Sequence, residues 1–337
     1  SFKNLNNNSY PEKNATNVFV YFYNIIRKNT MKNFLFILFC ISISYSQSYT
    51  PSDSKETHPS TKTIKIKSSV KLSDTIKETS GLLFFDNQIW THNDDSDATI
   101  YGLNTSGAIQ KKITLKQIKN KDWEAISQDS LYIYIGNFGN NYRGNRNDLC
   151  IYRIEKKSFY DTTPIIDTIA FSYAKQTDFS VQKANTTNFD CEAFVILKDS
   201  IYLFTKEWSS RKTSIYSLPK TPGNYTAQHQ ETLNVKGLIT DATVLPRKKG
   251  IVLCGYSKTL QPFVFVIDDY QNNAFWKGKK RKIKIKLPFH QIEGITTDDG
   301  KIFYLTNEAT IKKPFINTSP QLHTIDLSSF LKSQNQK

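Results

Sequence analysis

Hydrophobic residues in this 337-residue chain gather in short runs, each stopped by a polar turn. Runs at 81–85, 125–127, 193–197, 242–245 and 294–296 each meet a turn built from Asp, Asn, Gln, Ser, Lys, Arg or Gly. A second run follows at 88–91, 131–136, 201–205, 251–255 and 301–306, and a third at 100–103, 150–154, 214–218, 263–267 and 323–327. Short apolar segments punctuated this way predict β-strands joined as a meander.

The meanders share an opening phrase in which an acidic residue precedes Ala or Gly and a hydrophobic run. It reads Asp122-Trp123-Glu124-Ala125-Ile126, Asp190-Cys191-Glu192-Ala193-Phe194 and Gln291-Ile292-Glu293-Gly294-Ile295, with weaker copies at Thr240-Asp241-Ala242-Thr243-Val244 and Glu78-Thr79-Ser80-Gly81-Leu82. Aligned on Glu78, Glu124, Glu192, Asp241 and Glu293, the units are 46, 68, 49 and 52 residues apart. Repeats of this period built from short strands predict an all-β fold, a β-propeller of five recognisable blades. The long interval before Glu192 leaves room for a degenerate sixth. A strand-like segment at 63–72 precedes the first phrase and is placed to supply the outer strand of the last blade, closing the ring. Tyr and Phe crowd the strands, where they read as packing between blades.

Outside the repeats the chain divides simply. Residues 1–30 carry no periodic pattern and read as an upstream extension. Met31-Lys32-Asn33, the apolar run 34–43 and Ser44-Tyr45-Ser46 have the form of a secretory signal cut after Ser46. The alternative is an uncleaved anchor, but the run is shorter than the roughly 20 residues a spanning helix needs. A polar linker (47–61), the propeller (62–330) and a polar tail (331–337) follow. The expectation is an exported monomer, periplasmic, surface-bound or secreted.

Charge changes the picture less than its total suggests. Residues 1–46 hold five bases and one acid, so of the formal +15 about +11 belongs to the rest. The densest cluster, Lys277-Gly278-Lys279-Lys280-Arg281-Lys282-Ile283-Lys284-Ile285-Lys286, alternates in its second half like a strand with one solvated face. It reads either as an edge protected by lysine or as a polyanion-binding patch. No nucleic-acid-binding motif accompanies it. Cys150, Cys191 and Cys254 lack metal-ligand spacing and read as buried structural thiols.

Equivalent positions in a ring of blades face one axis. The phrase therefore brings Glu78, Glu124, Glu192, Asp241 and Glu293 together as candidate metal ligands. The ends of the second strands add Asp94, Asn137 and Glu308. Oxygen-only ligands suit calcium, and the lack of a His cluster argues against zinc or a redox metal. The same carboxylates could instead lock neighbouring blades through backbone N–H groups. Lys206, Asn93 and Asn307 stand near the axis as candidate substrate contacts. So do Arg143 and Arg146 in the Gly/Asn-rich loop 136–148, a composition suited to anions. His92, the one histidine beside the proposed cluster, is the candidate acid/base. No G-x-S-x-G, H-E-x-x-H or phosphate-binding glycine loop is present.

Five motifs, Ser80-Gly81-Leu82, His92-Asn93-Asp94, Asp122-Trp123-Glu124, the loop 136–141 and Asp190-Cys191-Glu192-Ala193, resemble those of exported bacterial β-propeller proteins of undefined activity. The phrase itself is similar to that of β-propeller phytases, phytase-like esterases and, more distantly, gluconolactonases. That resemblance implies a calcium cofactor and hydrolysis of a phosphoester or lactone, with an anionic small molecule or cell-surface polymer as partner. Asn137 stands where the motif has an acid, and Asp241 where it has Glu. A non-catalytic binding or scaffold propeller is the alternative.

Overall fold

Each acidic phrase opens a four-stranded antiparallel sheet in the computed structural model, which describes residues 62–95, 97–246, 248–312 and 316–331. The expected signal at 31–46, the linker and the end of the tail lie outside these residues. The first blade is Thr79–Phe85, Gln88–Asn93, Thr99–Leu103 and Ile109–Thr114. The second is Trp123–Gln128, Tyr132–Asn137, Cys150–Glu155 and Ile166–Tyr173, and the third Cys191–Leu197, Ser200–Thr205, Thr213–Pro219 and Gly223–Leu233. The fourth is Leu238–Val244, Gly250–Tyr256, Pro262–Asp268 and Lys279–Ile285. The fifth takes Ile292–Thr297, Ile302–Asn307 and Gln321–Asp326 from the end of the chain and Ser68–Lys71 from its start, antiparallel to Gln321–Asp326.

The first strands contact one another in cyclic order, so the five sheets form a closed β-propeller. No sixth blade occurs among the described residues. The long interval is taken up by the loop after Asn137 and the segment between Tyr173 and Cys191. Two outer edges are covered in parallel: Ile169–Tyr173 pairs with Gly223–Ala227, and Thr63–Ile64 with Lys284 and Ile285.

Burial explains the patterning. Inner strands lie between two neighbouring blades, so Gly250–Tyr256 is buried at every position and reads as a continuous apolar run. An outer strand such as Lys279–Ile285 is half solvated and alternates. Each of the five blade interfaces has its own apolar cluster. Trp90 and Leu83 meet Trp123 and Ile135 between the first two blades. Val264 and Ile283 meet Ile295 and Phe303 between the last two. Each fully buried side chain of this kind contributes about 1.5–3 kcal/mol.

One irregularity recurs. Every inner strand carries a β-bulge at the acidic phrase: after Ser80, between Trp123 and Ala125, between Cys191 and Ala193, between Ile239 and Asp241, and between Ile292 and Gly294. A bulge frees one residue from the ladder and re-aims its side chain. At the first bulge Gly81 has φ +65, and a Cβ there would lie 2.8 Å from the Ile126 nitrogen. Only glycine lets the first blade approach the second this closely.

Candidate functional site

The bulges decide what reaches the axis. Counting from the paired ends of the first two strands, the freed position is Glu124, Glu192 and Glu293 in blades two, three and five. In blade four the same position is Thr240, and in blade one the equivalent is Ser80. Asp241 and Glu78 are thus one and two residues out of the register assigned from the sequence. A strand displaced by one residue turns its side chains to the other face, which is why the distinction matters.

Asp241 is fully buried, and its carboxylate accepts backbone N–H groups from Leu82 at 3.0 Å, Ala242 at 2.8 Å and Ile295 at 2.7 Å. It ties blades one, four and five together and does not line the axial cavity. The two hydroxyls act similarly. Ser80 Oγ donates to the Glu124 carbonyl at 2.8 Å, and Thr240 Oγ1 to that of Ile292 at 2.6 Å.

The three glutamates line a cavity of about 330 Å³ together with Glu78, Asp94, Lys206, Trp208, Tyr256 and Glu308, among others. Residues from all five blades contribute. Two carboxylates absent from the sequence candidates lie against these glutamates without lining the cavity: Asp122 and Asp190, two residues before Glu124 and Glu192. Glu124, Asp190 and Glu192 are all buried, and one oxygen of each lies within 4.8 Å of the others. Asp190 is held from behind by the Asn140 N–H at 2.7 Å and by Trp208 Nε1–H at 2.7 Å. Asp122 and Glu124 both press on Gly139, where a Cβ would come within 2.4 Å of either carboxylate. Any side chain there would displace the acids.

Lys206 is the buried cation of this cavity. Its Nζ lies 3.0 Å from Glu192 Oε1 and 4.0 Å from Glu293 Oε2, and above the rings of Trp208 at 4.9 Å and Tyr256 at 5.6 Å. Burial alone would pull its pKa down, but Glu192, Glu293 and their neighbours outweigh that and hold it well above the ordinary value. One ammonium does not balance the acids. Burial, then repulsion from Glu192, Asp122 and Asp190, pushes Glu124 well above the usual carboxylate range. Burial raises Glu192 too, against the pull of Lys206. For the same first cause Asp94 is pushed up to about 7, Asp122 to about 6 and Glu293 to about 8.

Other sequence candidates are placed elsewhere. His92 packs between the first two blades, its ring edge-on to Trp123 at 5.5 Å and its Nδ1 2.9 Å from the Asn93 carbonyl. Burial lowers its pKa to about 4, and it does not line the cavity. Asn93 and Asn137 are structural in matching ways: the first accepts the Glu78 N–H at 3.3 Å, the second the Asp122 N–H at 3.2 Å. Asn307 holds the Ser319 carbonyl at 2.9 Å and His323 at 2.8 Å. Arg146 braces its own loop through the Gly139 carbonyl at 2.7 Å and Asp148 at 3.0 Å, with Asp122 at 3.9 Å. Arg143 is exposed and stacks near Tyr142. Glu308 accepts a hydrogen bond from Gln291 at the cavity wall. Cys150, Cys191 and Cys254 are buried and free.

An oxygen-only cluster of buried, mutually repelling carboxyls fits a hard cation such as calcium. Glu78, Asp94 and Asp95 form a second, more exposed group at the cavity's rim.

No family model and no curated protein matches this chain. Solved structures do. An oxidoreductase described as a glucose dehydrogenase, from Thermus thermophilus, aligns with a TM-score of 0.42 at 6% identity, covering 76% of this chain and 99% of its own. An α-L-arabinanase of Penicillium chrysogenum with bound arabinobiose aligns with a TM-score of 0.45 at 9% identity, covering 77% and 98%. A chain of a mitotic checkpoint complex gives 0.37 at 12% identity, covering 84% and 96%.

Proposed function

We propose that the axial cavity is a calcium-type cation site in an exported propeller, and that it hydrolyses an ester at the cation. The supporting observation is the convergence of Glu124, Asp190 and Glu192 within 4.8 Å, buried, against a single ammonium. Such a cluster resists full ionisation unless a further positive charge arrives. Glu124, Asp190 and Glu192 would hold the cation, which supplies charge neutralisation and polarises an ester oxygen when bound. Lys206 favours the ionised form of Glu192. Burial raises Glu293 to about 8, so its carboxyl can protonate the leaving alkoxide as a water oxygen adds to the acyl carbon and the acyl–oxygen bond breaks, the water's proton passing to an ionised carboxylate of the cluster. Trp208 and Tyr256 wall the space beside Lys206. Because the cavity is rich in acids, a neutral ester or lactone suits it better than a phosphoester, which the carboxylates would repel.

Calorimetric titration of calcium into chelator-treated protein tests this, beside the Glu124→Gln/Glu192→Gln double variant. Saturable binding to the wild type that disappears in the variant is expected. Well-folded wild type that takes up no calcium sinks the reading.

A second reading has its own observation: Lys206 already lies 3.0 Å from Glu192 and serves as the cluster's permanent cation. On that reading the ring closes without metal and the propeller binds rather than catalyses. Lys206→Met separates the two. Removing one partner of a buried pair costs about 3–5 kcal/mol. If calcium titrates only into that variant, the ammonium is the native occupant.

A further inference from the structure

The outer strand of the fourth blade has two differently charged faces. Lys279 and Arg281 share the face of the buried Ile283 and Ile285, and both are neutralised. Lys279 pairs with Asp269 at 2.5 Å and Arg281 with Asp268 at 2.6 Å. Lys280, Lys282 and Lys284 occupy the other face, at every second residue and hence about 6.7 Å apart. Among the described residues, none of these three has a carboxylate within 4.0 Å, and neither does Lys236 beside them.

The row is held in place. Lys282 lays its stem over Phe263, with Nζ 3.6 Å from the ring centre, and donates to the Val235 and Lys236 carbonyls at 2.6 and 2.9 Å. Burial first, and then the charges of Lys236 and Lys284, lower its pKa to about 8. The lysines are therefore close enough to repel one another. Edge protection does not account for Lys284, where Thr63–Ile64 already covers the strand at Lys284 and Ile285. Lys280, Lys284 and Lys236 are exposed.

We propose that this row is a binding site for a linear anionic polysaccharide, one carrying carboxylate or sulfate groups along an extended chain. Regularly spaced ammonium groups meet such a polymer by point-charge attraction, and each bound anion relieves the repulsion within the row. A glycan is favoured over nucleic acid because the ring at the centre of the row, Phe263, is buried beneath Lys282. A single-strand site presents aromatic faces for bases to stack on. The site is separate from the axial cavity and independent of its chemistry.

The test uses the full chain and heparin as probe, with neutral dextran and a single-stranded oligothymidylate as comparisons. Binding is measured by calorimetry across a salt series. Two triple variants of equal charge are compared: Lys236→Gln/Lys280→Gln/Lys284→Gln in the row, and Lys116→Gln/Lys175→Gln/Lys183→Gln at exposed positions elsewhere. The row variant is expected to lose about ten-fold in heparin affinity with a shallower salt dependence, and the control less than about two-fold. Circular dichroism and thermal melting confirm that both are folded. Equal losses in the two variants would reduce the effect to net charge and overturn the site, as would no heparin binding at low salt. Tighter binding of the oligonucleotide than of heparin would overturn the assignment to a glycan.

Discussion

Blade four places a hydroxyl at the bulge, and blade one just before it, where blades two, three and five place a glutamate. The backbone device is the same and the outcome differs. Ser80 and Thr240 are short, so their hydroxyls bond the carbonyls of the next inner strand, although Ser80 also borders the cavity. Glu124, Glu192 and Glu293 are longer and reach the cavity, where they repel one another and draw in Lys206. Closure of the ring and charge at its centre are thus divided among equivalent positions. Stability should be concentrated in blades one and four, and cation chemistry in blades two, three and five.

The largest expected effect is at Asp241, the carboxylate that sits on the closing side of this division. Asp241→Ala leaves the Leu82 and Ile295 N–H groups buried without their acceptor, at about 1–3 kcal/mol each. A loss of about 3 kcal/mol or more in urea unfolding is expected, with any folded remainder still binding calcium. If Asp241→Ala abolished calcium binding while leaving stability intact, closing and charging would not be separate jobs.

A second effect follows from the raised carboxyls. Asp94, Asp122 and Glu293 have ordinary values near 4 but sit at about 7, 6 and 8 in the folded chain. The native state therefore holds protons that the unfolded chain has released. These three carboxyls make stability fall as pH rises from near 4 to near 8, while the buried His92 and His323, held at about 4 and about 3, oppose them up to the ordinary histidine value near 6.5, so the net fall is read above that. Surface carboxylates held low, such as Asp129 and Asp148, finish titrating below it. In chelator, the urea midpoint at about pH 8.5 should lie below that at about pH 6.5, and calcium at the higher pH should raise it. A midpoint that stays flat or climbs with pH would mean that the cavity tolerates its charges without help.

The repeat phrase was legible because its spacing is set by blade length, and it carried the five-bladed ring, the closing N-terminal strand and the three glutamates. Register was not. A bulge adds one residue to one strand, and nothing in Thr240-Asp241-Ala242 says which of the first two is freed. Residue type points to the acid, and the hydroxyl occupies the place. Asp122 and Asp190 are visible in the D-x-E spacing, but only the bulge at Glu124 and Glu192 shows that both acids of each pair gather at one place. Trp208 and Tyr256 look like the packing aromatics around them. Only the ring's closure shows that they border the cavity. The sequence neighbours of His92 point to the axis, yet its ring packs against Trp123 between the first two blades.

The smallest effect sharpens the comparison most. Ser80→Ala and Thr240→Val each remove one buried hydroxyl that donates across a blade boundary, and each strands a carbonyl acceptor. A typical loss is about 1 kcal/mol per site. The two sites share no hydrogen-bond partner, so their effects should add in the double variant. Calcium affinity should stay within about two-fold of wild type, because neither group belongs to the cation cluster. By contrast, Glu124→Gln should lose calcium and, in chelator at high pH, gain stability, since it removes a carboxyl whose ionisation burial and its acidic neighbours oppose. If Ser80→Ala weakened calcium binding as much as Glu124→Gln does, the hydroxyl would be setting the position of Glu124 through the carbonyl it holds. The two classes of bulge would then be one coupled device around the ring.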